Sequence, residues 1–209
     1  MSVELSTLLA PLKVGDVPGG NYTETEIDGT VQAKGEATCW DDLVGSLIAS
    51  RLESTAGALQ YNYDENSITM NSNGSISNRS DRLIFNFQVP HAFVAGSEMK
   101  LHIHWEQPDS DPREFTVQYR LQDNGQAKTT AWTTVVVSSN GVNCVFPYVS
   151  GTLNQITRLA SIDLTGHNIS TTVQFRLART DSVSGDIEAV FIDAHVNRDM
   201  MGSRGEFVK

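Results

Sequence analysis

Between residues 59 and 196, apolar and polar side chains alternate in short runs, each closed by turn-forming residues. Successive side chains leave a pleated strand on opposite sides, so alternation of this kind is what a strand with one buried face requires. Leu59, Tyr61 and Tyr63, followed by Ile68 and Met70 across Asp64-Glu65-Asn66, predict a hairpin. Further strands are expected at 82–89, 99–106, 114–121, 132–138, 143–149, 171–178 and 187–196. Segments such as Pro108-Asp109-Ser110-Asp111-Pro112, Asp123-Asn124-Gly125 and Ser139-Asn140-Gly141 divide them. Roughly nine short strands predict an all-β fold, an antiparallel β-sandwich of jelly-roll type.

The phase of the alternation assigns faces. Leu101, Ile103 and Trp105, then Phe115, Val117, Tyr119 and Leu121, then Val173, Phe175 and Leu177, then Ile192, Ala194 and Val196 are expected in the core. His102, His104, Glu106, Thr116, Gln118, Arg120, Gln174, Arg176, Asp193 and His195 take the opposite faces. Histidines and opposed charges exceed what a solvated face needs, so a partner subunit is expected to cover this side.

Outside these strands the rhythm changes. Residues 1–37 carry no sustained period and are broken by Pro18-Gly19-Gly20 and Asp28-Gly29, which predicts an extended N-terminal arm. Asp41 is placed to cap a helix in which Leu43, Leu47, Ile48 and Leu52 share one face, so one short helix is expected there. Residues 151–162 mix helical spacing with Ser and Thr and are expected to form a long connection. The organisation is then an arm over 1–37, a sandwich domain over 38–198 and a tail over 199–209.

Composition narrows the function. Among 209 residues, 25 acidic against 15 basic give a net charge of −10 without a basic run, which argues against direct nucleic-acid binding. No stretch approaches the ~20 apolar residues that span a bilayer, and the start lacks the pattern of a cleaved signal. Cys39 and Cys144 are expected as buried free thiols of a protein made in a reducing cytosol.

Candidate chemistry is sparse. His102 and His104 project about 7 Å apart from one strand face, and Asp193 with His195 repeats that spacing on a late strand. Such a set can hold a divalent metal, but histidines of this kind more often hydrogen-bond across an interface. His102, His104, Glu106, Asp193 and His195 are therefore expected as an oligomer contact, with no metal. The acidic residues show no pairing of acid and base, and Ser182-Val183-Ser184-Gly185 lacks the setting of a nucleophile elbow, so no catalysis is expected. Phosphate-cradling glycine loops are absent from the sequence, and no cofactor is implied. Trp40, Trp105 and Trp132 with Tyr61, Tyr63, Tyr119 and Tyr148 offer possible sugar-stacking surfaces, although most sit at positions expected to fill the core.

Five motifs occur in order: Trp40-Asp41-Asp42-Leu43, Val89-Pro90-His91, Leu101-His102-Ile103-His104-Trp105, Ala131-Trp132-Thr133-Thr134 and Ile192-Asp193-Ala194-His195-Val196. This set resembles a group of small structural proteins of tailed phages and prophages, over about residues 38–197. The resemblance implies a non-enzymatic virion protein of β-sandwich type, made in the host cytoplasm. The expected role is capsid decoration or a head–tail component, with the head as the expected placement. Its arm would meet capsid, neck or tail proteins, and the domain would form a homo-oligomer, threefold in the simplest case. The alternative expectation is a carbohydrate- or receptor-binding module of a tail fibre.

Overall fold

The computed structural model describes residues 11–26, 29–45, 59–141 and 155–199. Strands β7 (Leu83–Gln88), β9 (Glu114–Gln122), β10 (Thr133–Ser138) and β12 (Thr172–Arg179) form one sheet in the order β10-β9-β12-β7. The facing sheet runs β11-β8-β13-β6-β5, from β5 (Leu59–Asn62), β6 (Ser67–Met70), β8 (Glu98–Glu106), β11 (Gln155–Asp163) and β13 (Ile187–Arg198). Strand β4 (Cys39–Gly45) also joins it. Every pairing is antiparallel, so the sandwich expected from the alternation is the fold observed.

The twelve-residue β13 organises the larger sheet. One edge pairs with β8; the other takes β6 along Ile187–Ala189 and β4 along Ile192–Arg198. Leu101, Ile103 and Trp105 are wholly buried, as are Phe115, Val117, Val173, Phe175 and Leu177 from the opposite sheet. The Trp105 ring meets Phe115 edge-on at 5.5 Å between centroids, and its indole N–H donates to Thr157 Oγ1 at 3.0 Å. Phe85 stacks on Phe175 at 5.0 Å, and Phe87 meets the same ring edge-on. Burying side chains of this size stabilises by about 1.5–3 kcal/mol each, which is why the phase of the apolar positions fixes the register.

Four expectations are corrected. The supposed arm instead holds an open meander of β1 (Leu12–Asp16), β2 (Asn21–Thr25) and β3 (Val31–Lys34), joined by two antiparallel pairings. The helix-like spacing from Leu43 onward opens in strand β4, seven residues registered against β13; positions 47, 48 and 52 lie outside the described residues. The segment expected as a connection contains β11, whose register slips between Arg158 and Ala160. That bulge shifts the phase of alternation and makes Ile156, Leu159 and Ala160 mimic a helical period. The strand expected at 143–149 and the tail from 200 onward lie outside the described residues, as does Cys144. Cys39 is free and exposed, not buried.

Candidate functional site

Two polar regions lie on the larger sheet, one along the middle of β8 and β13 and one at the β5–β6 hairpin. At the first, register places donors in a row: His102 on β8 opposes Asp193 on β13, and His195, two residues on, opposes Asp42 on β4. His195 Nε2 lies 2.9 Å from Asp193 Oδ2 and 3.1 Å from Asp42 Oδ1. His102 Nδ1 is 3.8 Å and His104 Nε2 3.4 Å from Asp193 Oδ1. The His102 and His195 rings sit 4.3 Å apart, while His104 stacks on Phe191 at 3.9 Å.

These residues face away from the core as expected, but the face is far less open than expected. His102 and Asp193 are each only 3% exposed. Burial pushes the His102 imidazole down to about 4, with His195 adding to the effect and Asp193 opposing it. Burial alone would raise the Asp193 carboxyl; His104, His102 and His195 outweigh it and hold the group below its ordinary value. An oligomer contact here is left with the partly exposed Glu106 and His195, and the mostly buried His104, as its reachable members.

The second region lies at the β5–β6 hairpin. Tyr61, Asn62, Tyr63, Asn66 and Ser67 line a hollow of about 280 Å³. Asn62 also borders a second hollow of about 320 Å³, formed with Glu65, Glu106, Gln107, Pro108, Asp186 and Glu188. The two tyrosine rings are 6.0 Å apart, and Tyr63 is 88% exposed. Glu106 and Glu188 are direct cross-strand partners, and like charges so placed repel. Glu188 is held by the hydroxyls of Ser67 at 2.6 Å and Thr69 at 2.7 Å. Gln107 is only 2% exposed, yet neither its Oε1 nor its Nε2 has a hydrogen-bond partner.

Buried arginines shape the wall of this second hollow. Arg179, 1% exposed, holds Asp181 through two nitrogens and donates to the carbonyls of Met70, Val183 and Gly185. Arg113, wholly buried, ion-pairs with Asp109 and donates to the Asp111 and Ser184 carbonyls. Both loops bordering Gln107 are thereby fixed from inside. Alternation identifies neither arginine, because Arg179 ends a strand and Arg113 precedes one; the dense Pro108–Pro112 turn cluster was the available signal.

The tryptophans divide differently from a sugar-stacking set. Trp105 is core, Trp40 lies under Lys100 Nζ at 4.4 Å, and the Trp132 ring carries the guanidinium groups of Arg120 at 4.5 Å and Arg176 at 3.9 Å. Tyr148 lies outside the described residues. Among the described residues the most exposed of these aromatics is Tyr63, with Tyr61 beside it and half-buried against the core.

Fold and sites together define an all-β sandwich with a lined cleft at the β5–β6 hairpin and a buried histidine–aspartate group along β8 and β13. No family model and no curated protein matches the chain. Among solved structures it is similar to isomalto-dextranase from Arthrobacter globiformis T6 complexed with panose, at 16% identity and a TM-score of 0.40; the match covers 83% of this chain and 24% of that one. An exo-beta-1,3-galactanase from Phanerochaete chrysosporium, with galactose, matches at 13% identity and TM-score 0.37, over 83% of this chain and 32% of that one. TmCBM61 in complex with beta-1,4-galactotriose matches at 11% identity and TM-score 0.26, over 77% and 88%. The chain thus spans about a quarter to a third of the first two, and at these scores no activity or ligand passes from them to it. Among the described residues no helix is long and apolar enough to cross a membrane.

Proposed function

We propose that this chain is a non-catalytic recognition domain that holds a carbohydrate in the cleft at the β5–β6 hairpin. The observation that carries the reading is the union, in adjoining hollows, of exposed Tyr63 with the buried, unpartnered Gln107 carboxamide. A sugar ring has a C–H face that rests on an aromatic surface and a rim of hydroxyls that both donate and accept. A carboxamide supplies both roles, and Asn62, Asn66 and the Glu106 carboxylate extend the polar rim. Leaving a buried amide unpaired costs about 1–3 kcal/mol, and because the Gln107 carboxamide atoms are closed to solvent, ligand hydroxyls remove that cost only as the rim parts to admit them. Glu188, already accepting from two hydroxyls, is fixed as part of the wall and is poorly placed to act as a nucleophile.

The test is a polysaccharide array followed by affinity electrophoresis. Retention of the full chain is expected, with Tyr63→Ala abolishing it at an unchanged unfolding midpoint. Gln107→Leu is expected to weaken retention at least about tenfold while holding or raising stability, because it removes two unsatisfied buried atoms. A full chain that recognises no glycan, or a Tyr63→Ala variant that binds as before, sinks the reading.

A second reading, a structural accessory of a tailed-phage virion, is favoured by the motif set and by the N-terminal meander. Register puts Leu12, Val14 and Val31 on one side of that small sheet, where they are 60%, 64% and 37% exposed. The opposite side carries the Lys13–Glu24 pair, with Glu24 buried. Apolar residues turned outward suit a neighbouring capsid, neck or tail protein, with copies of the chain associating as a homo-oligomer. Mass spectrometry of purified particles should find the chain, and a Leu12→Asp, Val14→Asp variant should fold yet be missing from them. Normal incorporation of that variant counts against this role for the meander.

A further inference from the structure

The geometry points to a metal site separate from the cleft, in which His102, Asp193 and His195 bind one transition-metal ion of zinc type, with Asp42 at its mouth. Strands β8, β13 and β4 lie side by side, and the register sets one or two donors of the site on each. The ligand atoms of His102, Asp193 and His195 all fall within 4.8 Å of one another. Bonds of ~2.0–2.1 Å in a tetrahedral shell put neighbouring ligand atoms roughly 3.3 Å apart. His195 Nε2 lies 2.9 Å from Asp193 Oδ2 and 3.1 Å from Asp42 Oδ1, and His102 Nδ1 lies 3.8 Å from Asp193 Oδ1, so the set, spread over at most 4.8 Å, has to draw in slightly on binding.

The second observation is independent of the spacing. His102 Nδ1 and Asp193 Oδ1 are buried and each lacks a hydrogen-bond partner. They lie 3.8 Å apart, too far to bond each other and close enough to share a cation. Asp193 Oδ1 has His104 Nε2 at 3.4 Å, but the buried His102 Nδ1 has no such neighbour, and buried polar atoms in native proteins are nearly always satisfied, so His102 Nδ1 is an unfilled demand for a further centre. His104 Nε2, 3.4 Å from the same carboxylate oxygen, is positioned to orient Asp193 from outside the site.

Donor type selects the ion. Two imidazoles and one or two carboxylates suit Zn²⁺, Co²⁺ or Ni²⁺, whereas Ca²⁺ and Mg²⁺ require more oxygens than the row offers. Arg158 and Lys100 are the register partners of His102 and His195 on this face, and their charge opposes a cation. Lys100 is drawn over the Trp40 ring, and the carboxylates of Asp193 and Asp42 offset the ion's charge. His195, 37% exposed at its side chain, provides the way in. Held by His102 on β8 and by Asp193 and His195 on β13, a bound ion would pin these two central strands together, so its role is structural.

The site is tested on the full chain after chelator treatment, by calorimetric titration with Zn²⁺ and by the visible spectrum with Co²⁺. One ion per chain, an intense tetrahedral Co²⁺ band and a rise in the unfolding midpoint on adding Zn²⁺ are expected. His195→Ala should weaken binding at least about tenfold and lose the Zn²⁺-induced rise in midpoint relative to its own metal-free value, while His91→Ala binds as the parent does. Absence of one-to-one binding, or equal affinity in His195→Ala and the parent, overturns the proposal.

Discussion

Asp181 shows how a buried charge is kept in this protein. Burial by itself would raise its carboxyl, but hydrogen bonds from Arg179 and from the Glu114 and Val183 amides outweigh it and hold the group below its ordinary value of 3.8. A depressed carboxyl contributes stability that is fully present above the unfolded pKa and is lost as pH falls through the folded one. Urea midpoints measured from roughly pH 5 downward should therefore fall, and Asp181→Asn should flatten that decline while lowering stability at neutral pH. An acid limb identical in the two proteins would contradict the assignment. The same logic makes Arg179 irreplaceable by a small residue, since truncating one partner of a buried pair leaves the other unpaired.

Strand β4 concentrates the difference between local pattern and tertiary demand. Gly45 opposes Ile192 on the core side, and a Cβ there would stand 2.9 Å from Phe87 Cζ and 3.1 Å from the Ile192 carbonyl oxygen. Gly45→Ala should destabilise by about 1–3 kcal/mol, because the Phe87 ring is packed against Phe85 and Phe175 and has little room to retreat. Chemical denaturation would measure this, and an unchanged midpoint would mean that the ring moves freely. Where alternation ran unbroken, as in Leu101–Trp105 or Val173–Leu177, both strands and faces were legible in the sequence. It failed at β11, where a bulge changes the phase, and at β4, where Leu43 shares its spacing with residues beyond the strand. The meander was hidden because its apolar residues do not enter the core. Of the sites, the histidine face was legible from parity alone, but its burial was not. The tyrosine pair was legible as one face of the predicted hairpin, but its approach to Gln107 was not, because β6 and β8 are joined only through β13, a long-range pairing that carries no local signal.

At the scale of the whole molecule the two sheets depend on each other through a few large side chains. Trp105 crosses the interlayer to Phe115 while satisfying its N–H on Thr157, so Trp105→Ala should remove about 3–5 kcal/mol and leave Thr157 without its buried partner. Fluorescence and circular dichroism should report one shared transition at a lower midpoint; separate transitions would mean that the sheets are not a single cooperative unit. The meander stands outside that interlayer, yet it leads through the short turn Gly35–Ala37 directly into β4, and the Ala33 amide donates to the Asp199 carbonyl just past the end of β13. Ladder hydrogen bonds of antiparallel strands lie perpendicular to the chain. Tension applied to the meander along the strand axis would therefore load the seven registered positions of β4 against β13 together, in shear, whereas tension across the sheet would peel them singly from the Cys39–Arg198 end. The junction is thus mechanically directional: strong along one axis and weak across it, a property suited to a domain tethered by its N-terminal end.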